Sequence, residues 1–120
     1  MRFRFTARQH LRRAREFEAV RKFGRAFQSA PFVFTLHIPE LVDGAIPVRR
    51  FGVIASRRVG NAVVRNLCKR RARELFRNHQ HLLPEHCDCV LLVRRRFPEL
   101  TFTELEKRFV QAYEYVTRAK

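Results

Sequence analysis

Arg57-Arg58-Val59-Gly60-Asn61-Ala62-Val63-Val64-Arg65-Asn66-Leu67-Cys68-Lys69-Arg70-Arg71-Ala72-Arg73-Glu74 is the stretch around which the rest of the chain can be ordered. From about Ala62 to Arg77 its spacing predicts an α-helix. At about 100° per residue, Arg65, Asn66, Lys69, Arg70 and Arg73 share one arc of about 140°. Val64, Leu67, Cys68, Ala72 and Leu75 take the other side and suit docking on a sheet. Arg71 falls on that packed side, so it must snorkel or pair. Between Arg57 and Arg77 there are eight Lys and Arg, and Glu74 is the only acid. An ordinary solvated helix face would carry acids at i±4 to balance such a row. A guanidinium fork bonds phosphate oxygens in pairs and stacks on bases, so this face suits a polyanion. Just ahead, Gly60 leads into the helix start, where free backbone N–H groups and the positive dipole end favour phosphate. Asn61 suits either a helix cap or direct RNA contact.

Strand and helix signals continue on both flanks. Arg50-Phe-Gly-Val-Ile-Ala-Ser56 reads as a strand with a buried centre. Phe32-Val-Phe-Thr-Leu-His-Ile38 is short, rich in β-formers and closed by Pro39. Between them Asp43-Gly44 is a turn signal that fits a hairpin or a loop. Farther upstream Leu11, Ala14, Phe17 and Val20 recur at helical spacing over 11–23, with Gly24 placed to end the helix. Downstream, Cys87 to Val93 is an apolar run best read as a strand, followed by Arg94-Arg95-Arg96. Phe102, Leu105, Phe109, Ala112, Tyr113 and Val116 form the stripe of a last helix, capped by Thr101 with Glu104 three residues on. The order is helix, strands, helix, strand, helix, which makes an α+β domain of one sheet with helices.

The bulk numbers agree with one folded unit, read as a single domain over 1–120. Hydrophobic residues at 46% and aromatics at 12% supply enough apolar material to exclude disorder. Lys+Arg at 26 against Asp+Glu at 11 gives a net charge of +15, and nine of the basic residues fall in 1–25. Such a charge attracts polyanions, nucleic acid first and membrane surface second. No apolar run approaches the ~20 residues of a membrane span. Met1-Arg-Phe-Arg-Phe5 is not followed by the apolar stretch of a secretory signal. Three Cys make no disulfide framework. A cytoplasmic, reduced setting is expected, with no membrane partner and no obligate protein partner.

The basic stretch resembles the signature of the bacterial ribonuclease P protein subunit. That signature is two basic residues (Arg57, Arg58), then Gly60-Asn-Ala-Val63, then Arg65-Asn66, then Lys69-Arg70 with Arg73 three residues on. Arg15-Glu-Phe-Glu-Ala-Val20 followed by Gly24 fits as well, so the resemblance covers nearly the whole chain. It implies an α-β-β-β-α-β-α fold with about four strands and three helices, similar to ribosomal-protein and translocase RNA-binding folds. It also implies a left-handed βαβ crossover, where the general rule favours the opposite hand. The implied role is accessory to a catalytic RNA. The protein would bind ribonuclease P RNA and the 5′ leader of precursor tRNA, and assist endonucleolytic removal of that leader. Hydrolysis would belong to the RNA and its Mg2+. By the same resemblance Arg57, Arg58, Asn61, Arg65, Asn66, Lys69, Arg70 and Arg73 face RNA. Phe17 would be a leader-cleft residue, with Val33 and Thr35 opposite it on the sheet.

Some positions depart from that pattern. Arg21 stands where relatives often have an aromatic, Thr35 where some have Tyr, Leu67 where a basic residue is frequent, and Arg71 where an apolar one is usual. Arg21 would join the cleft by gripping phosphate, making leader contact more electrostatic and less aromatic.

No catalytic residue and no protein-bound cofactor is expected. A two-metal nuclease needs clustered carboxylates, and the two aspartates, Asp43 and Asp88, lie far apart in sequence. Acid–base cleavage wants paired His, whereas His10 and His37 are isolated in sequence. His79, His81, His86, Cys87 and Cys89 invite a zinc reading, but Cys-x-Cys without a second pair fits core cysteines better, and Cys68 likewise. The competing functions are a ribosomal or general RNA-binding protein, a DNA-binding factor using the basic helix, and a stand-alone nuclease.

Overall fold

In the computed structural model, residues 4–118 are described; most of the Met1–Phe5 stretch read against a secretory signal lies outside them. The chain runs α1 (Ala14–Phe23), β1 (Arg25–Gln28), β2 (Phe32–His37), β3 (Arg49–Ile54), α2 (Ala62–His79), β4 (Cys87–Val93) and α3 (Phe102–Thr117). This is the α-β-β-β-α-β-α order implied by the resemblance. The element that periodicity does not reveal is β1, only 4 residues long. It exists because the turn at Ser29, closed by the Ser29 N–H and hydroxyl on the Phe32 carbonyl, folds it back on β2.

The sheet order is β1-β2-β4-β3. β4 inserts between β2 and β3, pairing antiparallel with β2 and parallel with β3. The β2–β3 connection is therefore a loop and no hairpin. Within it the Ala45 N–H reaches the Val42 carbonyl, and Gly44 takes φ +83°, a left-handed conformation that glycine adopts without steric cost. The parallel β3–β4 pair is joined through α2, as a parallel connection requires.

Helices cover both faces of the sheet. On one face Phe32, Phe34, Leu36, Phe51, Cys87, Cys89, Leu91 and Val93 pack with α2 and α3 in the main core. The Phe51 and Phe76 rings stack at 4.7 Å, tying β3 to α2, and Phe34 meets Phe109 edge-on at 5.3 Å, tying β2 to α3. Burying each such ring is worth about 1.5–3 kcal/mol. All three cysteines are buried. On the other face α1 lies across the sheet with Leu11, Val20 and Val90 in a second, smaller cluster. Because β4 is central and covered from both sides, its sequence is a continuous apolar run broken only by Asp88.

The helix ends follow their caps. Thr101 Oγ1 accepts from the Glu104 N–H at 3.1 Å while the Glu104 carboxylate takes the Thr101 N–H at 2.8 Å, a full capping box. Gly24 ends α1, its N–H on the Val20 carbonyl at 2.8 Å. Its backbone is not left-handed (φ −88°), contrary to the usual glycine C-cap. Glycine is needed there for space, since a Cβ would lie 2.5 Å from the Val20 carbonyl oxygen and 2.8 Å from that of Leu36.

Candidate nucleic-acid interface

α1 crosses only part of its sheet face and leaves a groove of about 480 Å³ beside it. Phe17, Val20 and Arg21 from α1 line it, with Val33 and Thr35 of β2, Val90 and Leu92 of β4 and Ile54 of β3 opposite. The four residues assigned to a cleft from sequence, Phe17, Arg21, Val33 and Thr35, therefore share one groove. Its depth depends on Gly52. A Cβ there would lie 2.4 Å from the Phe17 ring, so glycine gives that ring its seat on β3. Ile54 and Leu92 stay exposed in the groove, at 40% and 39%.

α1 is held over the sheet by an ion cluster that sequence separation concealed. Arg50 on β3 clamps Asp88 on β4 with two bonds of 2.9 Å, and its third nitrogen reaches Glu16 of α1, also at 2.9 Å. Glu16 in turn accepts the N–H groups of Arg12 and Arg13 at the start of α1. The Arg13 N–H contributes most to holding the Glu16 carboxyl below its ordinary pKa; burial opposes it, and the Arg12 N–H and Arg50 add to the lowering. Two carboxylates thus converge on one guanidinium, which offsets one of their two charges. The signal available in sequence was a single acid inside an otherwise apolar strand.

Beyond Ile54 the chain makes a single 3₁₀ turn, Arg57–Val59, anchored by buried Val59 with Arg57 and Arg58 exposed. Gly60 follows at φ +155°, with the Val64 side chain 2.9 Å from where a Cβ would stand. Asn61 is the α2 cap, its Oδ1 accepting the Val64 N–H at 3.0 Å. Arg65 turns back to donate to the Gly60 carbonyl at 2.8 Å, so this arginine also braces the turn. Asn66, Arg70 and Arg73 are exposed and Lys69 half-buried. Glu74, the one acid of the stretch, is bound to Arg77. Among the described residues, Arg57, Arg58, Lys69, Arg70 and Arg73 make no ion pair. Arg71 is half-buried beside Cys68; burial raises that thiol's pKa and the Arg71 charge opposes the rise. Burial, then the charges of Arg12 and Arg73, lower the pKa of His10.

The residues of the zinc reading point into different surroundings. Cys87 and Cys89 lie in the core with sulfurs 3.8 Å apart. His86 Nδ1 accepts the Val48 N–H, and His79 pairs with Glu106 of α3. Arg94 bonds the Ser29 carbonyl at 2.9 Å and, like Arg95 and Arg96, is exposed where β4 ends.

A groove floored by a sheet, with a basic turn and helix following its edge strand, is matched by known proteins. The sequence model of the family described as Ribonuclease P fits residues 5–117. The chain belongs to the ribonuclease P protein family. A ribonuclease P protein component from Bacillus pumilus (strain SAFR-032) is 34% identical over 83% of this chain and 81% of its own length. One from Thermotoga maritima is 32% identical over 79% and 77%. Among solved structures, the Staphylococcus aureus RNase P protein superposes with a TM-score of 0.77 at 22% identity, covering 91% of this chain and 95% of its own. The Thermotoga maritima protein gives 0.72 at 26%, covering 92% and 97%. As a ribonuclease P protein subunit, the chain works with ribonuclease P RNA in the holoenzyme that processes tRNA 5′ ends, and precursor tRNA is its other partner.

Proposed function

We propose that residues 1–120 act as one RNA-binding domain whose two surfaces divide the work of the holoenzyme. The groove of Phe17, Arg21, Val33 and Thr35 holds the single-stranded 5′ leader of precursor tRNA. Arg57, Arg58, Asn61, Arg65, Asn66, Lys69, Arg70 and Arg73 face the ribonuclease P RNA. Asn61 serves both structure and recognition, its carbonyl oxygen on α2 and its amide nitrogen toward RNA. The observation that carries this reading is continuity along β3. Gly52 seats the Phe17 ring, Ile54 lines the groove, and within a few residues the same strand becomes the basic turn and the α2 N-terminus. A leader in the groove and a structured RNA on α2 therefore meet around one sheet edge.

The protein's contribution is electrostatic and geometric. Bringing two RNAs together crowds phosphates, and fixed Arg and Lys charge offsets that repulsion. Contact with the leader favours substrate over mature product, because only the substrate carries one. Hydrolysis stays with the RNA and its Mg2+, the protein supplying no catalytic group and no cofactor, and the complex works in the cytoplasm. The test is 5′ cleavage of a precursor tRNA by ribonuclease P RNA at low Mg2+, with and without the protein. Strong activation, lost when Arg57 and Arg58 are both replaced by Ala, supports the reading. Equal cleavage with and without the protein overturns it.

A further inference from the structure

Two charged side chains line the groove, Glu18 and Arg21, and they are bound to each other. Arg21 Nε donates to Glu18 Oε1 at 3.2 Å and Nη2 donates to Oε2. Both side chains remain accessible, at 73% for Arg21 and 57% for Glu18. Their charges cancel, so this rim holds little net attraction for phosphate. The two-point grip also fixes the plane of the guanidinium, which an unpaired arginine would not keep. Arg21 follows Phe17 by one helical turn on the same face, about 6 Å farther along the axis. Across from them Val33, Ile54, Val90 and Leu92 are apolar and Thr35 is uncharged. The α1 wall thus presents an aromatic ring and then a flat cation. The fixed positive charge lies elsewhere: parallel β3 and β4 bring Arg57 and Arg94 to one end of the sheet.

We infer that Arg21 is a second stacking surface for bases of single-stranded RNA in the groove, and that Glu18 is its positioning residue. This rests on the proposed leader reading and reverses one detail of the sequence analysis, where Arg21 was expected to grip phosphate. A guanidinium plane stacks on bases as aromatic rings do. Glu18 holds that plane and turns phosphates away from the α1 rim.

The measured quantity is the ratio of holoenzyme affinities for leader-bearing and mature tRNA. Arg21→Phe, flat and uncharged, keeps the ratio within about threefold, whereas Arg21→Lys, charged but not flat, lowers it by about five- to hundredfold, the range for one stacked base. A leader carrying abasic nucleotides shows a similar loss with the unmodified chain and no further loss with Arg21→Lys. Glu18→Gln frees Arg21 for phosphate, so the log–log salt slope of the ratio steepens by about 0.7 while the melting temperature is unchanged. Retention of the ratio by Arg21→Lys with its loss in Arg21→Phe overturns the inference in favour of a phosphate grip. An unchanged salt slope in Glu18→Gln overturns the positioning role. If the unmodified holoenzyme does not distinguish the two tRNAs, the leader reading itself fails.

Discussion

Gly52→Ala would introduce a Cβ 2.4 Å from Cε1 and 2.5 Å from Cζ of Phe17, with the Leu11 Cβ at 3.1 Å. Such distances are far inside van der Waals contact, so one partner has to move. Leu11 is pinned, its N–H on the Phe51 carbonyl at 3.0 Å, while the ring is the free end of its side chain. The ring therefore swings off β3 into the groove. Overpacking of this kind costs about 1–3 kcal/mol, and the unfolded-chain entropy that Ala removes returns about 0.5–1 kcal/mol. A net loss of about 1–2 kcal/mol lowers the melting temperature by about 4–8 °C for a domain of this size. The effect on RNA is separate and larger. A ring displaced from its seat no longer stacks, and one base–aromatic stack is worth about 1–3 kcal/mol. Leader-dependent affinity then falls about five- to hundredfold while affinity for mature tRNA holds. Parallel thermal denaturation and equilibrium binding of precursor and mature tRNA to the holoenzyme read both effects. A variant with the lowered melting temperature and intact leader discrimination would refute the role given to Phe17. Unchanged values of both would refute the packing argument as well.

Four other substitutions separate structural from RNA-facing roles. Arg50→Ala strands the Asp88 carboxylate, 6% exposed, and should cost about 3–5 kcal/mol by chemical denaturation; a loss below about 1 kcal/mol, the scale of an exposed pair, would mean that water already screens the cluster. Glu16 carries a carboxyl pKa lowered by the Arg13 N–H first and by the Arg12 N–H and Arg50 after it, so its stabilisation is full above the unfolded value of about 4.3 and is lost as pH falls through the lower folded value. Urea titrations near pH 6 and near pH 3 should show a larger acid loss for the unmodified chain than for Glu16→Gln, and equal losses would exclude Glu16 as the titrating group. Arg70→Ala should weaken assembly with ribonuclease P RNA and lower the salt slope by about 0.7–0.9 without changing stability, whereas Arg65→Ala should also cost about 1 kcal/mol because the Gly60 carbonyl loses its donor. Equal melting temperatures for the two variants would show that the Arg65 contact does not stabilise the turn.

The parts of this molecule that sequence revealed are those governed by short-range periodicity. α2 begins at Ala62 and β4 spans Cys87–Val93 as read, and the Thr101–Glu104 box forms as its spacing predicts. Each depends on residues within one or two turns of each other. β1 escaped because four residues with alternating half-burial give no run to detect, and only the resemblance supplied a fourth strand. The hairpin-or-loop choice at Asp43-Gly44 turned on which strand lies beside β2, and local sequence carries nothing about that. Gly24 shows a subtler limit. Its position at the helix end was legible, but its reason, the nearness of the Leu36 carbonyl on another strand, was not.

The candidate site divides along the same line. Basic residues four apart on a helix identify one face at once, and on that face Asn66, Arg70 and Arg73 are exposed as the wheel requires, while Lys69 is half-buried and Arg65 is partly drawn into bracing the turn before it. The groove depends on contacts across the chain: Phe17 on Gly52, and Glu16 and Asp88 meeting at Arg50. The Asp88 contact was hidden because its partner Arg50 is 38 residues away along the chain; in the parallel register Arg50 stands directly opposite it. That register has a functional consequence. Because β3 and β4 run the same way, the residues following both strands, Arg57-Arg58 and Arg94-Arg95-Arg96, are delivered to one end of the sheet, beside the part of the groove that α1 leaves open. Had β3 paired antiparallel with β4, those two basic segments would lie at opposite ends. In the proposed reading the paired Glu18 and Arg21 on the α1 rim leave the fixed positive charge at the sheet end, so an RNA strand in the groove would lie with its bases toward α1 and its phosphates toward the ends of β3 and β4. Composition announces the charge, but only the strand order decides which side of the groove receives it.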